Sequence, residues 1–429
     1  MSNRLRHPLV AVLFSVLLTL PWLAVKITGM RESLSRPTVI ALTGISILGA
    51  SFLLAWAAET AEEDVPRAFA LAVLAVLAVA PEYAVDALYA WEAGANVGTP
   101  LGAEKASLAV ANMTGANRIL IGIGWSAIAI FAIYKARKTD DPAVERRSGF
   151  LADCVRLDKD ISTEILFLFV ATIYAFFVPF GGGIGATDML FLVGLYLMYI
   201  YFTLQAEHTD EEQVGIPAYF QSFKKSIRVP TYVGMFLFAG AVIFIAVEPF
   251  AHGLEQYGEQ IGIPPFLMIQ WVAPLASESP ELIVTAYLVN KARSTAAFNA
   301  LISSKLNQWT LLIGTLVLVY SISLGYYAHL PLEQKQIGEI WLTAAQSFFA
   351  LAILVNFNIS IREALALLVL FLVQLWPDFH HYEALIAFSA IYIVLGVVLL
   401  ALRREALQLL VGRVYYRITG RKRRPAEQV

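Results

Sequence analysis

The stretch PEYAVDALYA at residues 81–90 returns, altered but recognisable, as PELIVTAYLV at 280–289. Each copy sets a Pro-Glu pair inside an apolar run long enough to cross a membrane, which takes about 20 residues. A carboxylate near the middle of a bilayer costs several kcal/mol on insertion scales, so Glu82 and Glu281 are functional-site candidates by placement alone. Two such acids in corresponding positions of two half-chains mark an ion carrier assembled from internal repeats.

The rest of the chain fits that reading. Of its 429 residues 58% are hydrophobic and 15% charged, with mean hydropathy +0.66, whereas a soluble domain carries roughly 25% charged residues. The apolar residues fall in blocks, so the expected fold class is an all-α polytopic membrane protein. The net charge of −2 decides nothing, because in membranes the placement of charge matters more than its sum. Cys154 is the one cysteine, which excludes an internal disulfide and a cysteine-built metal site. The opening MSNRLRHPLVAVLFSVLLTLPWLAVKITG has a basic flank and a longer apolar core than a leader peptide carries. It reads as a retained first span.

Windows of about 19 residues place spans near 8–28, 36–58, 67–92, 104–135, 161–180 and 187–204. Others follow near 231–249, 264–289, 297–326, 337–356, 361–376 and 382–402, about twelve in all. With the N-terminus inside, the Arg and Lys clusters at 135–159, 224–228, 291–293 and beyond 403 all fall in the cytoplasm, as does the C-terminus. The acidic segment 248–260 and the neutral loop 93–103 fall outside. Two early loops run against the rule: Lys26, Arg31 and Arg36 lie outside, and Glu59 to Asp64 inside.

The Pro-Glu spans are the third and the eighth, so the two copies cross the membrane in opposite senses, as an inverted-topology repeat. The expected organisation is an N-terminal extra span at 1–35, a first five-span repeat at 36–204 and a basic cytoplasmic linker at 205–230. A second five-span repeat follows at 231–376, then an extra span and a basic cytoplasmic tail at 377–429. The motif-bearing segments are 78–125 and 273–314.

Proline inside a helix removes one backbone hydrogen bond and frees a carbonyl four residues earlier. In a membrane such a break persists where the loosened backbone is buried in protein or lines a cavity. A carboxylate beside freed carbonyls is a hard-oxygen environment suited to Na+, Ca2+ or a proton. Asp86 lies four residues after Glu82, on the same helical face. The second copy has Thr285 there, with Glu278 one turn before Glu281. Asp86 and Glu278 are read either as direct ligands or as hydrogen-bonding supports. The following spans read ANMTGANRILIGIGW at 111–125 and NALISSKLNQWTLLIG at 299–314. Their small residues let helices approach closely; Asn112, Asn117, Asn307 and Gln308 add neutral oxygens that packing alone explains poorly.

These segments resemble the alpha-repeats of the cation/Ca2+ exchanger superfamily, which includes sodium/calcium, cation/proton and potassium-dependent exchangers. The family pattern is approximately G-T-S-x-P-E in one span, then G-N-x-x-G-S-N-x-x-(N/D) in the next. Ala276-Ser277-Glu278-Ser279-Pro280-Glu281 matches the first part in copy two, and copy one keeps Pro81-Glu82 with Ala78 and Val79 where hydroxyls are usual. Ala111-Asn112-Met113-Thr114-Gly115-Ala116-Asn117 matches the second part in copy one, and copy two is eroded to Asn299-Ala300-Leu301-Ile302-Ser303-Ser304-Lys305. The resemblance implies a five-plus-five-span antiporter with Glu82 and Glu281 as shared central ligands of the transported cation. It implies Ser277 and Ser304 as oxygen ligands and Gln308 where the second repeat usually has Asn or Asp. The counterpart of Gln308 in copy one is Leu120, which cannot ligate, so Asn117 is the nearest substitute.

Val79, Ala116 and Leu120 strip oxygens from the first half-site, and Arg118 and Lys305 bring positive charge near it. Either these two cations snorkel or pair between helices, or one of them pairs with Asp86, Glu82 or Glu278 and stands in for a bound cation. A buried glutamate takes up protons well above its usual range, so proton coupling needs no histidine. The expected function is secondary active Ca2+/cation antiport, with Na+ or H+ as counter-ion, by alternating access at a midplane carboxylate site. Alternatives are a Na+/H+ exchanger with a reduced ion site and an inverted-repeat carrier of a small organic solute. The sequence has no H-E-x-x-H, G-x-S-G or clustered histidines, so an enzyme is not expected, nor a cofactor beyond the transported cations. The partners expected are the lipid bilayer and inorganic cations, with no nucleic acid; the localisation expected is a bacterial inner (plasma) membrane. The tail RVYYRITGRKRR at 413–424 is read as lying against anionic head groups.

Overall fold

The computed structural model describes residues 7–65, 79–205, 215–376 and 381–419; Ala78, part of the 205–230 linker and the end of the basic tail lie outside them. The chain opens with α1 (Pro8–Thr28), α2 (Arg36–Ala61) and α3 (Ala80–Ala95). Next, α4 (Pro100–Ile119) passes through a π-helical segment, Leu120–Trp125, into α5 (Ser126–Lys135). Two short strands, β1 (Val144–Glu145) and β2 (Cys154–Arg156), precede α6 (Ser162–Ala175), and β3 (Gly183–Ile184) precedes α7 (Ala186–Gln205). The middle of the chain forms α8 (Ile216–Gln221) and the long α9 (Lys225–Ile261). A π-helical segment, Met268–Val272, leads into α10 (Ala273–Asn290). Then α11 (Ser294–Asn307) passes through a third π-helical segment, Gln308–Leu312, into α12 (Ile313–Leu324). After β4 (Leu330–Pro331) come α13 (Gln334–Leu354), β5 (Asn358–Ser360), α14 (Ile361–Gln374), α15 (Tyr382–Leu402) and α16 (Arg404–Thr419).

Local chemistry starts and stops these helices where the sequence supplies it. Ser35 accepts the Thr38 amide at the head of α2, and Pro37 sits in its first turn, where a missing N–H is no loss. Ser360 and Glu363 form a reciprocal capping box on α14, and Glu333 with Gln336 does the same on α13. Gly29 closes α1 in the left-handed region at φ 69°.

Among the described residues eight helices are long and apolar enough to cross a membrane: α1, α2, α4–α5, α7, α9, α11–α12, α13 and α15. The described parts of α3, α6 and α14 are shorter, and α10 carries Glu278, Pro280 and Glu281. Among the described residues helix occurs within each of the expected spans, the first part of the 67–92 span, residues 67–78, lying outside them. The α9 helix is longer than expected, 37 residues with Pro230 and Pro249 inside it, because a hydropathy window registers only the apolar part of a helix whose ends are polar. A second difference matters more. Among the described residues α3 begins at Ala80, after Val79 at φ −100°, ψ 18°, so Pro81 and Glu82 occupy its first turn, while the residues before Val79 in the expected span lie outside those described. In the second copy Pro280 lies inside α10, as expected.

The chain divides into two compact units. The first comprises residues 1–116, 207–280 and 319–327. Its core is α2 packed along α9, with Leu53, Leu54 and Ala57 against Met235, Ala239 and Val242. Toward α3 and α4 the core continues as Ile47, Tyr89, Leu108, Phe250 and Leu254. The second comprises residues 117–206, 281–318 and 328–429. There α13 is the buried centre, and Gly396 lets α15 approach the ring of Phe348 on it. Connecting loops in this unit form antiparallel pairs, β1 with β2, β2 with β5, and β3 with β4.

Candidate functional site

In the first unit, Glu82 and Asp86 sit one turn apart on α3, each 1% exposed. Asn112, on α4, donates from Nδ2 to Asp86 Oδ1 at 3.0 Å. Asp86 Oδ2 and Asn112 Oδ1 are buried and take no hydrogen bond among the described residues, which leaves a carboxylate oxygen open to a cation or a proton and an amide oxygen able to help ligate a cation. A buried carboxylate that holds neither is costly.

The spacing between helices here depends on a glycine. A Cβ placed on Gly115 would lie 1.9 Å from the backbone oxygen of Gln270, so only glycine allows α4 this close to the π-helical segment before α10. The buried Gln270 amide reaches Thr114 Oγ1 at 3.5 Å. On α10, Ser277 and Glu278 are buried as well, and Ser277 donates to the Pro274 carbonyl at 3.4 Å.

In the second unit three of the predicted ligands meet. Gln308 donates to Ser304 Oγ at 3.4 Å, and Ser304 donates to Glu281 Oε1 at 3.0 Å. Glu281 Oε2 is buried without a hydrogen-bond partner among the described residues. The relay stabilises a charged carboxylate while keeping one of its oxygens available. Gln308 opens the π-helical segment Gln308–Leu312, and Leu120, its counterpart in the first motif copy, opens Leu120–Trp125. Such segments widen a helix by one residue per turn and occur often at functional sites.

The two cations near the motifs are neither exposed nor snorkelling. Arg118 is fully buried and forms an ion pair with Glu339 of α13, with a second donation to Gln374 Oε1 at 3.4 Å. Gln346 holds the Arg118 carbonyl at 3.2 Å. Lys305 is fully buried too. Its Nζ donates to Asn117 Oδ1 at 2.7 Å and to the Asn117 carbonyl at 3.3 Å, and lies 4.4 Å from the centre of the Trp309 ring. Each cation thus bonds to a residue of another helix. Sequence reading passed over Glu339, although it is an acid within an expected span, the same signal that singled out Glu82.

A further charged group was also missed. Lys105 lies 2.7 Å from Glu255 and 3.1 Å from Glu92, His252 is 2.8 Å from Glu92, and Tyr89 donates to Glu255 at 2.9 Å. These residues join the ends of α3, α4 and α9 in the first unit.

A family model described as sodium/calcium exchanger protein matches residues 35–205 and 231–377. Among solved structures, the chain is 46% identical to an H+/Ca2+ exchanger, CAX, over 96% of this chain and 99% of that one, with a TM-score of 0.86. Native YfkE matches at 14% identity and a TM-score of 0.58, over 84% of this chain and 98% of that one. The sodium-calcium exchanger NCX_Mj matches at 15% identity and a TM-score of 0.50, over 79% of this chain and 96% of that one. These last two show likeness of fold. No curated protein matches the chain.

Proposed function

The chain belongs to the sodium/calcium exchanger protein family, as an integral multi-pass membrane cation antiporter, and from that premise we propose that it exchanges Ca2+ for H+. Glu82 and Glu281 are the carboxylates that bind and release the transported ion. The observation that carries this reading is the near full-length likeness to an H+/Ca2+ exchanger. The local chemistry supports it. A glutamate buried at membrane depth is stable when a cation or a proton neutralises it and costly when neither does. Ca2+ and H+ therefore compete for the same oxygens, and that competition couples the fluxes. Asn112, Ser277, Ser304 and Gln308 supply neutral oxygens and hydrogen bonds around the carboxylates, and Asp86 and Glu278 are supporting acids.

About twelve spans in two inverted repeats, with both termini on the cytoplasmic side, suit this function. The pairing of loops supports that topology. Asp64, after the second expected span, is bound by Arg228 at 2.7 Å and Lys225 at 3.6 Å, after the sixth. Asp141, after the fourth, accepts from Ser294, after the eighth, at 2.6 Å. On the opposite face Ser323, at the end of the ninth, donates to the Trp91 carbonyl, at the end of the third, at 2.6 Å. Loops of like parity meet within each unit. Asp64, the last acid of the run that broke the positive-inside pattern, is thus paired with two cations of the basic linker.

The test is Ca2+ uptake into proteoliposomes driven by a pH gradient. Glu82→Gln and Glu281→Gln are each expected to abolish it; uptake equal to the parent in both variants overturns the assignment.

A further inference from the structure

We propose that the Lys305 ammonium is a tethered monovalent cation, filling an oxygen pocket at Asn117 and so shutting Na+ out of the exchange cycle. The inference rests on the proton-coupled reading above. It starts from a correspondence between the motif copies. When 111–117 is aligned with 299–305, Asn117 and Lys305 occupy the same position, and in the folded chain these two residues are bonded to each other.

The surroundings of the ammonium are those of a bound ion. A fully buried lysine on a membrane-spanning helix is expensive unless nearby groups replace its hydration. Lys305 meets an amide oxygen at 2.7 Å, a backbone carbonyl oxygen at 3.3 Å, and the face of Trp309. Two neutral hard oxygens and a π face are a donor set that also suits a small monovalent cation. The ammonium is a compact point charge, and it fills this position with the charge such an ion would bring.

The difference lies in what can leave. A diffusible ion at Asn117 would be released in each cycle and would contribute to coupling. An ammonium fixed to α11 contributes the same charge in every state and cannot be exchanged. The carboxylates of Glu82 and Glu281 then remain as the groups whose loading changes. A purely structural lysine would make the same contacts but would not hold the place of an ion, and the response to Na+ separates the two.

The experiment compares the full-length parent with Lys305→Met, purified and reconstituted, in Na+ or in N-methyl-D-glucamine at equal ionic strength. The parent is expected to melt and to take up Ca2+ identically in both. The variant is expected to melt higher in Na+, and to lose uptake by roughly tenfold or more when Na+ is replaced, the factor for one charge-assisted hydrogen bond. Identical melting and uptake of the variant in the two salts overturns the proposal, whether uptake is kept or lost. Should the variant be monodisperse only in Na+, the proposal is supported; aggregation in both salts overturns it. The parent's pH-driven uptake reads the coupling by itself. Its failure contradicts the proton reading, while the variant's melting response to Na+ still reports on the tether.

Discussion

Arg118 illustrates what one buried charge demands. It follows Asn117 directly on α4, and its guanidinium is matched by Glu339, with Gln374 beside them and Gln346 on the Arg118 carbonyl. Removing one member of a buried pair costs roughly 3–5 kcal/mol, whereas replacing both by apolar side chains of like volume is often neutral. Arg118→Met is therefore expected to lower thermal stability severely, and Arg118→Met with Glu339→Met to recover most of the loss. A single variant as stable as the parent would show that the pair does not anchor the motif span. The glutamates of the proposed site stand out in the sequence because an acid in an apolar run has few bland explanations. Gln270, Gln346 and Gln374 do not, because a neutral amide in a helix carries no such signal until a partner is seen.

At the scale of elements, the spans are joined by close approaches that small residues permit. Gly115 is the sharpest case: an added methyl would meet the Gln270 backbone oxygen at 1.9 Å. Overpacking of this kind costs about 1–3 kcal/mol, and here it would push α4, with Asn112, away from the segment that leads into Glu278. Gly115→Ala is expected to reduce Ca2+ transport more than its loss of thermal stability explains, since it displaces the helix that carries the proposed ligand Asn112. Unchanged transport would mean that the approach is incidental. The motif spacing and its small residues were legible from the sequence; the π-helical segments at Leu120–Trp125, Met268–Val272 and Gln308–Leu312 were not. An extra residue in a turn leaves no mark in hydropathy, and it shows only when backbone hydrogen bonds can be followed. The start of α3 at Ala80 escaped for a similar reason, since proline in a first turn and proline inside a helix look alike in sequence.

At the scale of the molecule, the described residues contain eight helices long and apolar enough to span a membrane, and hydropathy finds such helices because the bilayer imposes one length and one polarity on them. Loop chemistry was harder to foresee. The Asp64 carboxyl is held below the usual Asp range chiefly by its hydrogen bond from Arg228, an ion pair between segments 164 residues apart. The short strands at 144–145, 154–156 and 358–360 likewise join distant loops. The central claim concerns the whole transporter: that Ca2+ and protons compete for Glu82 and Glu281. Its most direct test adds Ca2+ to the purified protein in weakly buffered solution and follows the pH. The account predicts prompt acidification as bound protons are displaced, reduced in Glu82→Gln and in Glu281→Gln. Ca2+ binding by the parent with no release of protons would contradict it.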